Sequence, residues 1–200
     1  DVAVDLAPSA LVFDVMDDLA SFRGASPLLR QVHAAAVDAA DVVFAGGRSL
    51  FRGVRRLRTH GVHLFPSGVE VEHFARGRRT RPLGRSRPVV GYIGVIDERI
   101  DLDLLRETAE LLPDWTVRMV GPVAKIAPAS LPTSGNLEYT GPAAYDDLPR
   151  LMADFDVAMM PFALNEATRS ISPTKTLEYL AAGLPVVSTR VTDVVEDFAD

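Results

Sequence analysis

The chain has 200 residues, of which 48% are hydrophobic and 24% charged, with a net charge of −6; this composition is globular and excludes a wholly disordered chain. It contains no cysteine, which excludes disulfides, thiolate metal sites and a cysteine nucleophile. No apolar run reaches the roughly 18 residues of a membrane span and no signal-peptide pattern is present, so we expect a cytoplasmic protein.

Charge is distributed unevenly along the chain. Residues 1–90 hold 13 arginines and 9 acidic residues (net +4), whereas residues 91–200 hold 8 basic and 18 acidic residues (net −10). This asymmetry predicts two structural units, joined by an Arg-rich linker at residues 76–88. The arginines lack the aromatic interleaving of nucleic-acid-binding segments, so no nucleic acid is expected. A solvated helix face and peripheral attachment to the anionic inner face of a membrane both stay open.

The first half alternates short apolar runs with helical patterns. In chain order we predict a strand at 11–15, a helix at 27–40, a strand at 40–45, a basic helix at 49–60 and a strand at 62–65.

The alternation restarts after the Arg-rich segment. We predict strands at 89–96, 116–120, 137–139, 156–160 and 185–188, and helices at 102–112 (capped by Asp101), 145–155 and 174–182 (ended by Gly183). Apolar strands separated by helices indicate parallel sheets covered on both faces. The predicted class is therefore α/β, with two Rossmann-like, doubly wound units at residues 1–75 and 89–200.

Ligands of such sheets bind beyond the carboxyl ends of the strands. The first strand leads into Asp17 and Asp18. Asp17 is either a carboxylate that acts on a hydroxyl or a structural residue, and Asp18 is expected to cap the following helix. After strand 89–96, the spacing of Gly91 and Gly94 fits neither a dinucleotide fingerprint nor a P-loop.

Acidic triplets and histidines give no convincing metal site. The pairs Asp101/Asp103 and Asp154/Asp156 are each spaced D-x-D, but the pattern is loose and occurs twice, which favours chance. The four histidines show no helical ligand spacing, so no metal is expected.

The segment 170–188 carries the strongest local signal. Ser172 followed by Pro173 is typical of a helix start, and the free amides there, with the Thr174 hydroxyl and Lys175, can bind a phosphate. Glu178 lies on the same helix face as Lys175 and can accept hydrogen bonds from ribose hydroxyls. A surface Lys–Glu pair on an ordinary helix is the alternative, and both interpretations stay open.

Four motifs occur in one order along the chain. They are Phe13–Leu19 (FDVMDDL), Pro66–Phe74 (PSGVEVEHF), Asn136–Pro161 with its internal Gly141 and ADFDV, and Glu178–Ser188 (EYLAAGLPVVS). Together they resemble the GT-B glycosyltransferases, specifically the family-4-like group, and the first resembles its polysaccharide-building, teichuronic-acid-type members. The last motif is the most specific, since it matches the group's E-x4-G-x-P-V-V-x-S signature.

The resemblance implies a retaining glycosyltransferase that moves a sugar from a UDP- or GDP-linked donor to a saccharide or lipid-linked acceptor, without a metal or further cofactor. Residues 89–200 would bind the donor. Glu178 would hold the ribose, and Ser172, Thr174 and Lys175 would hold the diphosphate. The loop after Gly141, near Tyr145, would contact the base, and Gly94 is a further donor-binding candidate. Arg99 and Lys175 would stabilise the leaving diphosphate, with Glu166 and the acceptor-side Asp17 as further catalytic candidates.

Two positions depart from the group's pattern. Ser170 stands where the group often has a glutamate, with Glu166 as a substitute, and Val95 stands where an arginine is usual. These departures favour one alternative, a non-catalytic nucleotide-binding module. A GT-B-fold nucleotide-sugar epimerase is the other, with Asp17, Asp18 and His73 as acid–base candidates. The length and the ends of the chain lead us to expect a fragment of both domains.

Overall fold

The computed structural model describes residues 8–80, 87–172 and 174–199, apart from the side chains of residues 79 and 80. The chain divides into two compact units. The first comprises the residues up to Ser67 together with 166–172 and 192–199, and the second comprises residues 68–165 and 174–191.

The first unit is built on three parallel strands in the order β1-β2-β3. Its elements are β1 (Val12–Val15), α1 (Leu29–Ala39), β2 (Val42–Ala45), α2 (Arg48–Leu57), β3 (Val62–Leu64) and α7 (Thr192–Phe198), the last from the end of the chain. Buried aliphatic side chains from this sheet and from α1 and α2 form one core, including Val15, Val37, Val43 and Val54.

Arg58 of the first unit makes structural contacts. Arg58 donates hydrogen bonds to the carbonyl oxygens of Val37 (3.0 Å), Ala40 and Asp41 (3.0 Å), where α1 has ended. These oxygens have no partner within the helix, so the guanidinium satisfies them. Arg58 is therefore a fixed helix cap rather than part of a solvated basic face.

Helix α7 is attached to the start of α2 by three acidic side chains. The fully buried Asp193 carboxylate accepts a hydrogen bond from the backbone N–H of Ser49 (3.0 Å), in the first turn of α2. Arg48 pairs with Asp197, and Arg52 pairs with Glu196 at 2.7 Å. A carboxylate at a helix N-terminus satisfies free amides and the helix dipole, which fixes the end of the chain onto the first unit.

The second unit is a five-stranded parallel sheet in the order β6-β5-β4-β7-β8. Its strands are β4 (Val89–Ile93), β5 (Thr116–Val120), β6 (Leu137–Gly141), β7 (Val157–Met160) and β8 (Val186–Ser188). Its helices are α3 (Val71–Thr80), α4 (Leu102–Leu111), α5 (Leu148–Met152) and α6 (Thr174–Ala181).

The central strand of this sheet is buried along its whole length. A Cβ atom at Gly91 would lie 2.3 Å from the ring of the buried Phe155, so the absence of a side chain lets the ring lie against the strand. The amide nitrogen of Asn136 lies 2.9–3.1 Å from three carbonyl oxygens, those of Ala109, Leu112 and Trp115, and so closes the C-terminal end of α4.

The α/β class with parallel sheets is confirmed, as are most of the predicted elements. Strand 116–120 has the predicted bounds, and Asp101 caps α4 by accepting from the Leu104 N–H at 2.9 Å. Gly183 follows α6 with φ +73°, the left-handed conformation that ends helices and favours glycine.

Three local predictions are wrong. Residues 145–155 form a single 3₁₀ turn and then the short α5, since Pro149 in the first turn of α5 has no N–H to continue a helix from the preceding turn. The N-cap position of the Leu19–Ser21 turn is Asp18, but its side chain makes no capping hydrogen bond. The start of the predicted linker, residues 76–80, is helical within α3, and residues 81–86 lie outside the described residues.

Gly121 marks a close approach between two loops at the carboxyl edge of the second sheet. A Cβ atom there would lie 1.9 Å from the carbonyl oxygen of Gly94, which is a backbone atom and cannot move aside. We expect Gly121→Ala to destabilise the second unit by about 1–3 kcal/mol, measured by urea denaturation followed at Trp115. Gly135→Ala is the matched control, since nothing lies within 4 Å of its Cβ position; equal stability of the two variants would contradict the prediction.

Burial raises the pKa of Asp193 more than its hydrogen bonds from Ser49 and the charge of Arg52 lower it. Its contribution to folding is therefore complete at acid pH and declines as pH rises through that raised pKa, because the ionised carboxylate is less favourable in the fold than in the unfolded chain. Asp193→Ala is expected to lower the opening free energy of α2 by about 1 kcal/mol. The loss of opening free energy caused by Asp193→Ala should be largest at low pH.

Hydrogen exchange of the α2 amides, corrected for intrinsic rates, measures this directly. Asp197→Ala, on the same helix but paired with the half-exposed Arg48, is the control and should change exchange less. A loss that grows with pH would contradict the assignment.

Candidate functional site

A group of predicted site residues lies at the carboxyl edge of the second sheet. The buried Tyr179 hydroxyl accepts a hydrogen bond from the backbone N–H of Ile93 (2.9 Å) and lies 3.4 Å from its carbonyl oxygen. Ile93 is the last residue of β4, so this contact fixes α6 over the end of the central strand. Open α/β sheets bind their ligands at this edge.

Lys175 and Glu178 form an ion pair on α6. The Lys175 Nζ lies 2.8 Å from Oε2 of Glu178, and Glu178 is only 8% exposed. A carboxylate this buried needs compensating partners. The pair therefore differs from an ordinary surface pair, and it holds a carboxylate with remaining acceptor capacity beside a cation.

Three tyrosines lie within electrostatic range of the Glu178 carboxylate. Burial is the main cause that raises the pKa of each of Tyr92, Tyr145 and Tyr179, and the negative charge of Glu178 raises all three further. Each phenol therefore stays protonated at neutral pH and can act as a hydrogen-bond donor.

Tyr145 lies flat against His73. The ring centroids are 4.4 Å apart with an interplanar angle of 7°, and the His73 Nε2 lies 3.1 Å from the Tyr145 carbonyl oxygen. His73 is buried and Tyr145 is half exposed, so one phenol face is fixed and part of the ring remains accessible. The negative charges of Glu70 and Glu178 both act on this phenol, which places it in the same neighbourhood as α6.

The start of the loop after β4 is held by contacts of its backbone. The Gly94 N–H donates to the Val120 carbonyl oxygen (2.9 Å), and a Cβ at Gly94 would lie 2.5 Å from the Tyr92 hydroxyl. The Tyr92 hydroxyl in turn donates to the Val95 carbonyl oxygen at 3.1 Å. Glycine thus allows the tyrosine to hold this loop in place.

Arg99 is fixed by a buried carboxylate. Its Nε and Nη2 donate to the two oxygens of Asp97 at 2.9 and 2.8 Å, and Asp97 is 2% exposed. The positive charge of Arg99 lowers the pKa of Tyr92, on which Glu178 acts in the opposite direction. Arg99 and Glu178 therefore lie within electrostatic range of the same phenol.

The remaining predicted site residues belong to the first unit. The Ser172 hydroxyl donates to the Gly46 carbonyl oxygen (3.2 Å) and lies 3.2 Å from the Ser67 hydroxyl. Glu166 pairs with Arg169 at 2.5 Å, and Asp17 is exposed. The structure therefore brings Gly94, Arg99, Tyr145, Thr174, Lys175 and Glu178 into one unit and places Asp17, Glu166 and Ser172 in the other. Pro173 lies outside the described residues.

Glu70 is a neighbour of the site that the sequence did not assign to it, and from sequence His73 is only an acid–base candidate of the epimerase alternative. Both fall within the recognised Pro66–Phe74 motif, but only the packing of α3 beside α5 and α6 shows that they approach Tyr145.

Each acidic triplet has a structural use. Asp101 caps α4 and Asp103 pairs with Arg106. Asp156 accepts from the Val89 N–H at 2.8 Å, and Asp154 pairs with Arg118 at 3.4 Å. Across the described residues, no cluster of three or more histidines and carboxylates is arranged to hold a metal ion. Within the same part of the chain, no helix is both long and apolar enough to cross a bilayer.

Comparison with known proteins gives one family and several relatives. The sequence profile of the family described as glycosyl transferases group 1 matches residues 87–199. The chain is 33% identical over 165 residues, or 78% of its length, to the Bacillus subtilis (strain 168) protein named "Putative teichuronic acid biosynthesis glycosyltransferase TuaH".

Solved structures share the fold. The Anabaena protein Alr3699/HepE, crystallised in complex with UDP and glucose, matches 98% of this chain with a TM-score of 0.74 and 19% identity. The catalytic domain of Starch Synthase IV from Arabidopsis thaliana, bound to ADP and acarbose, matches 84% with a TM-score of 0.59 and 9% identity. The chain spans 42% of the length of the Bacillus relative and 57% and 44% of the two structures.

Proposed function

The chain belongs to the family of glycosyl transferases group 1, and from this premise we propose that its protein transfers a sugar from a nucleotide-sugar donor to a saccharide or lipid-linked acceptor. The observation that carries the proposal is the ion pair on α6 between the partly exposed Lys175 and the buried Glu178, beside the carboxyl edge of the second sheet. A cation and a carboxylate three residues apart match the two polar parts of a nucleoside diphosphate, its phosphates and its ribose hydroxyls.

Glu178 is assigned to the ribose. Its carboxylate has one oxygen 2.8 Å from Lys175 and accepts only, so it binds paired hydroxyls and disfavours phosphate. The Tyr145 ring, stacked on His73, supplies a flat apolar surface for the base. The base is proposed to be uracil or guanine; the UDP in the Anabaena structure, which shares the fold, makes uracil the first to test.

The diphosphate is assigned to Lys175, the Thr174 hydroxyl and the first amides of α6, with Arg99 as a second cation. As the bond from sugar to phosphate breaks, negative charge develops on the leaving diphosphate, and fixed cations and amides stabilise that charge. Arg99 is held in place by Asp97, which fixes its position and offsets part of its charge. The acceptor hydroxyl would attack the same face of the sugar, with retention of configuration, and the chemistry requires no metal.

The acceptor pathway is proposed from the Bacillus relative, whose name refers to teichuronic acid biosynthesis. We propose synthesis of a cell-surface polysaccharide, carried out on the cytoplasmic side of the membrane. Attachment to lipid through the Arg-rich segments has less support, since Arg48, Arg52 and Arg58 bind internal partners.

Two alternatives have less support. An epimerase needs free acid–base groups, but His73 is 6% exposed and stacked against Tyr145. A non-catalytic nucleotide-binding module would bind donor without cleaving it. Donor hydrolysis by the complete product of the gene distinguishes the enzyme, which should release free sugar and nucleoside diphosphate, from such a module, which should release neither.

Glu178→Gln is expected to weaken UDP binding by about 1–3 kcal/mol, because a charged hydrogen bond to the ribose is replaced by a neutral one and Lys175 loses its partner. Calorimetric titration measures the change. Glu110→Gln on α4, whose side chain is 65% exposed, is the control and should bind as the parent does. Unchanged affinity of Glu178→Gln would remove this carboxylate from the site.

Lys175→Ala is expected to weaken UDP binding at least tenfold while leaving uridine binding nearly unchanged, since only the diphosphate contacts the ammonium group. Separate titrations with UDP and uridine test this. Equal losses for the two ligands would place Lys175 away from the phosphates.

A further inference from the structure

The first unit contains a cavity of about 620 Å³ that the donor site does not use. It lies against α1 and α2 and is closed by Asp18 after β1 and by the segment 166–170. The volume is within the usual range of small-ligand pockets, about 300–1,000 Å³. The aliphatic side chains of Val15, Leu50 and Val54 contribute to its lining.

The polar lining of this cavity is mostly cationic. Its lining includes two carboxylates, Asp18 and Glu166, and His33. It also includes four arginines: Arg30, Arg52, Arg56 and Arg169. Arg30 and His33 are one turn apart on α1, and Arg52 and Arg56 are one turn apart on α2, so each pair shares a helix face.

Two of these arginines differ from their neighbours in having no internal partner. Arg52 is paired with Glu196 and Arg169 with Glu166. For the guanidinium groups of Arg30 and Arg56, the described part of the chain offers no hydrogen bond or ion pair, although Arg55 and Arg58 on the same stretch bind carbonyl oxygens. Both residues are exposed, so their guanidinium groups are accessible to a ligand, and a guanidinium binds an oxyanion through two parallel hydrogen bonds.

Asp18 adds a second requirement for the ligand of this cavity. Its carboxylate lines the cavity, and its side chain makes no capping hydrogen bond to the turn that follows it. A carboxylate is an acceptor for hydroxyl groups and repels a bare anion, so the cavity suits a molecule that carries both hydroxyls and an anionic group.

We propose that this cavity binds a saccharide that bears a phosphate or carboxylate group, with Arg30 and Arg56 on the oxyanion and Asp18 on a sugar hydroxyl. The proposed binding site consists of residues of the first unit alone. The further assignment of this ligand as the acceptor rests on the proposed function, and it makes the acceptor an anionic saccharide.

The test is calorimetric titration of the full chain with glucose 1-phosphate, with glucose as the neutral ligand of the same shape. We expect the parent to bind the phosphate and to bind glucose at least tenfold more weakly. Arg30→Gln and Arg56→Gln should each weaken glucose 1-phosphate binding about tenfold. Arg48→Gln removes the same charge from α2 at a position off the cavity and should bind as the parent does.

A second pair of probes tests Asp18. Asp18→Asn should weaken the binding of glucose 1-phosphate but not that of inorganic phosphate, because only the sugar offers hydroxyls. Unchanged binding in Arg30→Gln and Arg56→Gln, or glucose bound as tightly as glucose 1-phosphate, would overturn the proposal.

Vesicle binding distinguishes a soluble ligand from a lipid-borne one. Phosphatidylcholine vesicles with and without a polyprenyl-phosphate-linked glucose are compared by sedimentation. Selective binding that Arg30→Gln abolishes assigns a lipid-borne source, and binding of the soluble sugar phosphate alone assigns a free one; vesicle binding that Arg30→Gln leaves intact would count against the site.

UDP is titrated into every variant in parallel. Normal UDP binding with no sugar-phosphate binding would overturn this inference alone. Sugar-phosphate binding without UDP binding would instead overturn the proposed donor site and leave the cavity assignment in place.

Discussion

The contact of the Tyr179 hydroxyl with the backbone of Ile93 is the constraint on which the second unit's site depends. Tyr179 is wholly buried, so its hydroxyl requires a partner, and the end of the central strand supplies one. Because Glu178 and Lys175 stand on the same short helix, their positions relative to the β4 loop follow from this hydrogen bond. The Lys175–Glu178 ion pair, the Tyr145 ring stacked on His73 and the Arg99 bound to Asp97 are each held by a contact within the second unit.

The arginines described above have two kinds of role, one structural and one proposed for ligand binding. Arg58 completes the end of α1, while Arg48 and Arg52 hold α7 to α2. Arg30 and Arg56 line a cavity, and no counterion for them is found among the residues that the structure describes. The net charge of the chain does not distinguish these roles. A guanidinium that caps a helix and one that is accessible to a ligand each add one positive charge. Only the position of carbonyl and carboxylate oxygens around each group does so.

Much of the fold and part of the site could be predicted from sequence. Buried strands such as 116–120 and the cap at Asp101 follow from local chemistry, since apolar runs and capping residues act within a few positions. Glu178 could be singled out as a candidate because its spacing from Gly183 and Pro185 belongs to a recognisable motif, and its role in binding stays a prediction. The stacking of His73 on Tyr145 could not, because the two residues are 72 positions apart and the packing of α3 brings them together. For the same reason the sequence assigned Ser172 to a helix cap, whereas its hydroxyl binds Gly46, 126 positions away.

The passage of the chain between units has a consequence for synthesis on the ribosome. The sheet of the first unit precedes the second unit in the chain, yet Asp193, which binds the start of α2, follows all the strands of the second unit. While the ribosome makes the residues in between, the first amides of α2 have no carboxylate, and the core around Val43 and Val54 must persist without α7. The second unit likewise waits for α6 and β8. Vectorial synthesis therefore does not complete the units one after the other: the first unit waits for α7, which the ribosome makes after α6 and β8 of the second unit.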